Sequence, residues 1–506
     1  MRFVIGSGLL VALVGCVGLT GCGDEFTCEE AGNCASGTGS TSGTGGTGAT
    51  GGAGGTDGGA GIGGSSGSGG DGGGCDTNAA PGTEACLVDE QYAVFVSASG
   101  SDAADGSKGT PFATIEKGME TAKAAGKIVI ACNAPFTEGV SIGTAHEGVN
   151  VYGGFNCSTW AYEPTIKTSV APAKGYALQV DGVTTATSFT GFEFKAADGV
   201  ADGESSIAAF VKNSSALRFE SVDFVAGAGK NGKNGVRTDF VYEALQSKLN
   251  GNDATGAAAG GPKTCLCPAG DSTIGGAGGF EDQGGSPGKP QGSANGGTLA
   301  ACKSTNTGGG VGDNGVAQGD APGAASVGTL SNSGFAGSSG DNGKDGPAGQ
   351  AGGGGAGATG PDTGLGGGGG CGGCGGAGGP GGGAGGSSIA LLVFDSTVTA
   401  TSCTFTTGDA GDGGTGDKGQ AGATQVGFGG GKTNGGCTGG KGGSGGAGGN
   451  GGGGAGGVSV GILHSSGSTI NDTSSMFTTG KAGNAGNGGG SGNNGVAGEK
   501  QDKLAL

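Results

Sequence analysis

The chain has 506 residues, 138 of them glycine, with 5% aromatic residues, 13% charged residues and a formal net charge of -18. Glycine falls short of the one residue in three, in strict period, that a collagen triple helix needs, and 13 prolines are too few to support one. Beyond residue 2 the arginines are Arg218 and Arg237, so the basic surface that phosphate binding demands is missing and nucleic acid is excluded as a partner.

Arg2 precedes an apolar run over residues 3–19, which holds glycines and is short of the roughly 20 residues of a membrane span. Leu19-Thr20-Gly21-Cys22 follows, and the tetrad resembles the lipobox of bacterial lipoproteins. That resemblance implies a signal peptide over residues 1–21, a lipid on Cys22 and a cell-envelope protein anchored to a membrane, at the outer membrane or cell surface. Residues 22–91 are rich in Gly, Ser and Thr and read as a flexible tether. Gly63 to Gly67 fits Gly-x-Ser-x-Gly, but no strand precedes it and no helix follows, so the match is chance.

Ordered sequence is expected from residue 92. A strand, a Gly/Asp turn and an amphipathic helix with Phe112, Ile115, Met119 and Ala122 on one face lead to a Gly126 stop and a second strand. Gly100, Asp102, Gly109, Thr110, Pro111, Phe112, Thr114 and Ile115 resemble the entry of right-handed parallel β-helix proteins of the pectate-lyase-like (pectin lyase-like) superfamily. There the helix caps the open end of the stack, where bare strands would otherwise expose unpaired backbone.

Residues 206–227, 388–408 and 459–480 align with one another. Ile207, Ile389 and Val460 coincide, as do Ala209, Leu391 and Ile462, then Leu217, Val398 and Ile470, then Phe224, Phe405 and Phe477. A weaker copy carries Tyr176, Leu178, Val180, Phe192 and Phe194. The alternation is period two, so these side chains are expected on one face. A unit of about 22 residues that cannot bury its apolar face alone stacks on its copies. The expected fold is therefore mainly β, a short right-handed parallel β-helix with an N-terminal capping helix and an inner phenylalanine column. It would comprise the cap and first coils (92–227), a coil at 388–408 and a coil at 459–480, interrupted by glycine-rich insertions at 228–387 and 409–458 and followed by a glycine-rich tail at 481–506 with no clear cap. Loop-closure entropy rises only with the logarithm of length, so such insertions are tolerated.

Two readings of the insertions stand. The composition resembles glycine-rich (PGRS-like) repeat proteins of bacterial surfaces, which implies packed extended glycine helices; the alternative is disorder. Within them, Val241, Leu245 and Leu249 at four-residue spacing predict a short docked helix over residues 238–250. Cys403, on the inward period beside Phe405, reads as a buried thiol. Cys28 with Cys34, Cys75 with Cys86, and Cys132 with Cys157 are candidate disulfides. Cys265, Cys267, Cys302, Cys371, Cys374 and Cys437 would staple the insertions, although Cys371-Gly-Gly-Cys374 also fits a redox or metal pair.

Glu193 and Asp223 fall at equivalent outward positions of neighbouring coils, with Arg218 in the same sheet region. Two carboxylates about 5 Å apart can act as acid and nucleophile on a glycosidic bond or hold calcium, and Arg218 would be a lyase base. Against this, Lys195 and Arg218 can simply neutralise them, the later coils place Thr404 and Met476 at the Asp223 position, and polygalacturonase-type signatures are missing. His146 reads as a turn residue and His464 as a core or end residue; residues 408–417 are a weak cation candidate, and no cofactor is implied. The sequence thus points to a structural, adhesive or surface-interaction role, with an envelope polysaccharide or surface protein as partner. A polysaccharide lyase or glycoside hydrolase acting on acidic glycans is the alternative.

Overall fold

The computed structural model describes residues 75–305, 308–359 and 363–506. Short runs of β-branched and aromatic residues between glycine turns form strands that visit three sheets in turn. After β1 (Ala93–Val96), α1 (Ile115–Ala125) and β2 (Ile128–Cys132), the chain makes successive three-strand circuits. These are β3 (Val140–Ile142), β4 (Asn150–Phe155) and β5 (Thr168–Val170); β6 (Leu178–Asp181), β7 (Thr187–Thr190) and β8 (Phe192–Lys195); and β9 (Ser206–Lys212), β10 (Leu217–Glu220) and β11 (Asp223–Val225). The long insertion contributes two hairpins, β12 (Thr264–Leu266) with β13 (Ser272–Ile274) and β14 (Gly328–Ser331) with β15 (Gly334–Gly337). The circuits resume as β16 (Ser388–Phe394), β17 (Thr397–Thr401) and β18 (Thr404–Thr406), then β19 (Ser459–His464), β20 (Thr469–Thr473) and β21 (Met476–Thr478), and end at β22 (Lys500–Ala505). First strands build a six-stranded sheet (β22-β19-β16-β9-β6-β3), second strands join β1 and β2 in a seven-stranded sheet, and third strands build a five-stranded sheet (β21-β18-β11-β8-β5). Their ladders are parallel and no sheet closes on itself.

The N-terminal end is closed by α1, whose Ile115, Met119 and Ala122 join Val94, Val96 and Val129 in the main core. Asp102 sets the helix start. Its Oδ1 accepts the Ala113 and Thr114 amides at 2.9 and 3.0 Å, and Thr114 Oγ1 accepts the Lys117 amide as the N-cap. Gly126 ends the helix at φ 65°, where a side chain would be strained. Order begins earlier than residue 92: the 3-10 turn Ala85–Val88 buries Leu87 and carries the Cys75–Cys86 bond, because its apolar cluster with Phe95 and Trp160 needs no strand.

The repeat alignment is the strand register. Phe224 pairs with Phe405 and Phe405 with Phe477, and their rings stack at centroid distances of 5.3 and 5.0 Å, with Phe194 extending the column at 5.8 Å. Ile207, Ile389 and Val460 are in register too, but they face the other way. They pack with Phe210, Leu392 and Leu463 in a second cluster, under Val327, Leu330 and Phe335 from the β14–β15 segment. At β9, β16 and β19 the sheet is covered on both sides, so these strands are apolar at nearly every position and period two is lost.

The glycine-rich segments are ordered, extended and packed side by side. Amides of Gly340, Gly343, Gly346, Gly349, Gly352 and Gly355 donate to carbonyls of Gly382, Gly379, Gly376, Gly373, Gly370 and Gly367 at 2.8–2.9 Å. A bond every third residue, to a neighbour rather than within the segment, is the signature of polyproline II helices. Residues 437–457 lie among segments 309–324, 338–356, 367–385, 411–427 and 483–498, bonded to each in the same rhythm. Residues 364–373 and 451–463 are buried throughout. These interior helices read Gly-Gly-x, whereas peripheral ones, as in residues 340–349, read Gly-x-x. The reason is steric: a Cβ on Gly375 would overlap the Gly346 carbonyl oxygen, and one on Gly445 the Cys374 carbonyl oxygen. On outer helices Asn and Asp side chains take amides of the next helix, as Asn231 does from Asp412, Asn234 from Thr415 and Asn314 from Ser444. The ladder runs unbroken out of the sheets: Ala226 donates to Thr406 within the sheet, then Gly229 to Asp409 and Gly232 to Asp412 beyond it.

The expected docked helix at 238–250 is a single turn, Gln246–Leu249; Val241 and Leu245 are 87% and 55% exposed. That segment instead follows the extended track of residues 415–428: the Gln420 side chain bonds the Phe240 amide and carbonyl, and Asn250 Oδ1 accepts the Phe428 amide, so helical spacing had no partner to bury against. The tail, in which the sequence shows no clear cap, returns as β22 alongside β19. Lys503, beside inward Ile462, pairs with Asp472 at 2.9 Å and stands over the Phe477 ring at 5.6 Å. An inward ion pair thus covers the last rung, a device that blunts a strand edge against further pairing.

Candidate functional site

The outward row of the five-stranded sheet runs Ser169, Glu193, Asp223, Thr404, Met476 across β5, β8, β11, β18 and β21. Glu193 and Asp223 are therefore direct cross-strand neighbours, about 4.8 Å apart at the backbone. Each is already engaged. Asp223 Oδ1 accepts from Lys167 Nζ at 2.9 Å, and the same ammonium donates to the Ser221 carbonyl at 2.6 Å. Glu193 Oε1 accepts from Ser169 Oγ at 2.9 Å. The neutralising cation is Lys167, which the sequence reading missed because it lies two circuits earlier, just before β5. Arg218 lies on β10 in the seven-stranded sheet, between Ser188 and Thr399, so it does not share the sheet of the two carboxylates. The short loop between β10 and β11 turns the chain from one sheet to the next, which the linear spacing hid. Lys195 sits opposite Val225 and is exposed.

Five disulfides occur among the described residues. Cys75–Cys86 and Cys132–Cys157 bond as chain spacing suggested. In the glycine bundle, Cys265 bonds Cys371, Cys267 bonds Cys374 and Cys302 bonds Cys437. Cys371 and Cys374 occupy the x positions of an interior Gly-Gly-x helix, one turn apart, and meet Cys265 in β12 and Cys267 just after it, two residues apart in extended chain. The Cys-x-x-Cys pair is thus spent on two separate staples. Cys403 is buried beside the phenylalanine column, and burial pushes its thiol up to about 11. Cys22, Cys28, Cys34, the signal segment and residues 22–74 of the tether lie outside the described residues.

The acidic stretch 408–417 has its carboxylates turned to neighbouring helices. Asp409, Asp412 and Asp417 accept amides of Lys481, Asn484 and Arg237 at 2.7–2.9 Å, and the Arg237 amide holds the Asp417 carboxyl below its ordinary range. His146 closes a turn through its Nδ1 and the Gly143 amide, and His464 is half-buried opposite Val393. No helix among the described residues is long and apolar enough to cross a membrane. Comparison of the chain with protein-family models, curated proteins and solved structures returns no match.

Proposed function

We propose that the three sheets wind as a short right-handed parallel β-helix and that the chain is a cell-envelope lipoprotein, anchored through Cys22, with a structural, adhesive or surface-interaction role. The handedness follows from the general rule for crossovers between parallel strands. The observation that carries the functional reading is the unbroken ladder that joins the sheets to the glycine helices, stapled by disulfides of the kind that persist outside the cytoplasm. Such a body is rigid, resists opening at its ends and presents long polar faces, as a displayed element requires. Radiolabelled palmitate should enter the wild-type chain and not the Cys22→Ser variant, and whole-cell protease should reach the labelled protein; a chain that stays unlabelled and internal refutes the reading.

The rival, cleavage of an acidic glycan, draws support from the adjacency of Glu193 and Asp223. Reducing-end release that vanishes in Glu193→Gln or Asp223→Asn, with or without calcium, would establish it.

A further inference from the structure

We propose that the protein holds a neutral saccharide in the cleft between the β14–β15 hairpin and the six-stranded sheet; this rests on the surface-interaction reading above and names its ligand class. The cleft measures about 660 Å³ and takes lining from the segment before β6, the loop before β9 and the hairpin. That volume lies in the range of sites that accept small ligands. It exists because the glycine-rich insertion brings β15 back over sheet residues that would otherwise face water.

Two rings form its apolar part. Tyr176 is half-buried with its ring 5.5 Å from Phe210, and Phe335 packs on the same cluster. The Tyr176 hydroxyl has no hydrogen-bond partner among the described residues, and burial holds its proton more firmly than in an ordinary tyrosine. It is a donor in waiting. Around the rings stand groups of both kinds. Lys174 is exposed and makes no ion pair among the described residues, while Glu204 and Asp198 offer carboxylate oxygens. Glu204 Oε2 accepts the Val200 and Ala201 amides at 2.7 and 2.8 Å and Asp198 Oδ1 accepts the Ala228 amide at 2.7 Å, which fixes both carboxylates and leaves Oε1 and Oδ2 for a ligand.

A pyranose matches this set, because its C–H face lies on an aromatic ring while its hydroxyls donate to carboxylates and accept from an ammonium and a phenol. Charge selects among sugars. Two carboxylates against one ammonium line the cleft and the chain carries -18 overall, so a uronic-acid polymer is repelled where a neutral glycan is not.

The test is titration of the full chain with maltotriose, cellotriose, chitotriose and trigalacturonate, followed by saturation-transfer NMR and calorimetry. At least one neutral trisaccharide should saturate the protein. Tyr176→Ala and Lys174→Ala should each weaken it about tenfold or more. Tyr176→Phe, which keeps the ring and its packing, should lose several-fold through the hydroxyl alone. The proposal fails if none of the neutral probes binds, if Tyr176→Ala binds as wild type does, or if trigalacturonate binds more tightly than every neutral probe. Lipid labelling of Cys22 is read separately, so loss of the saccharide site and loss of the envelope reading are distinguishable.

Discussion

Substituting Gly375 by alanine should open the glycine bundle from within. The added methyl meets the Gly346 carbonyl oxygen, a backbone atom that cannot swing aside. To make room, the helix at 365–386 must part from its neighbours and stretch the bonds from Gly346 to Gly376 at 2.8 Å and from Gly376 to Gly446 at 3.0 Å. Overpacking of this kind costs about 1–3 kcal/mol. Each buried backbone bond left unmade adds about 1–3 kcal/mol. The sum over the two bonds, about 3–9 kcal/mol, rivals the whole stability of many domains, which is about 5–15 kcal/mol. Gly319, exposed and with nothing within 4 Å of its virtual Cβ, is the matched control; its alanine variant should stay within about 1 kcal/mol of wild type. Urea unfolding followed by circular dichroism, with hydrogen exchange at the 340–385 amides, reads both variants. Equal midpoints for Gly375→Ala and Gly319→Ala would refute the idea that close backbone contact, rather than composition alone, explains the Gly-Gly-x pattern.

Phe405→Ala, between two stacked rings and fully buried, should cost about 3–5 kcal/mol, and Phe477→Ala, at the half-covered end, distinctly less; urea midpoints that rank the other way contradict the column. Replacing Cys267 and Cys374 together by serine should cost about 2–4 kcal/mol and make residues 264–274 protease-sensitive, so undiminished resistance would show that the staple is idle. Cys403 should resist iodoacetamide in the native protein and react only on unfolding. Its folded thiol titrates near 11 against an ordinary 9.0, so its contribution to stability is whole below pH 9 and declines as pH climbs from 9 toward 11; a rise in stability over that window is the wrong sign. Lys503→Ala leaves Asp472 inward and unpaired, and should destabilise the last circuit by about 1–3 kcal/mol, visible as faster exchange of the β20 and β21 amides than of β17.

Much of the sheet architecture is legible in the chain. Phe224, Phe405 and Phe477 recur because each must cover the same dry strip, and strand spacing turns their recurrence into register. The capping helix announces itself through Thr114, Gly126 and an apolar face. Where several partners bury one strand on both sides, as with Ile207, Ile389 and Val460, alternation vanishes and the direction of a side chain is no longer readable. Val241 and Leu245 mislead for the opposite reason: helical spacing exists without a surface to receive it.

Sequence by itself determined which residues stack and that the first cysteine pairs are local, since both arise from contacts between near neighbours or recurring segments. Tertiary structure alone decided which glycine helices touch, which distant cysteines meet, that Lys167 rather than Arg218 answers Asp223, and that Lys503 covers the final ring. Those contacts join segments that share no period, so only the packed chain brings them together.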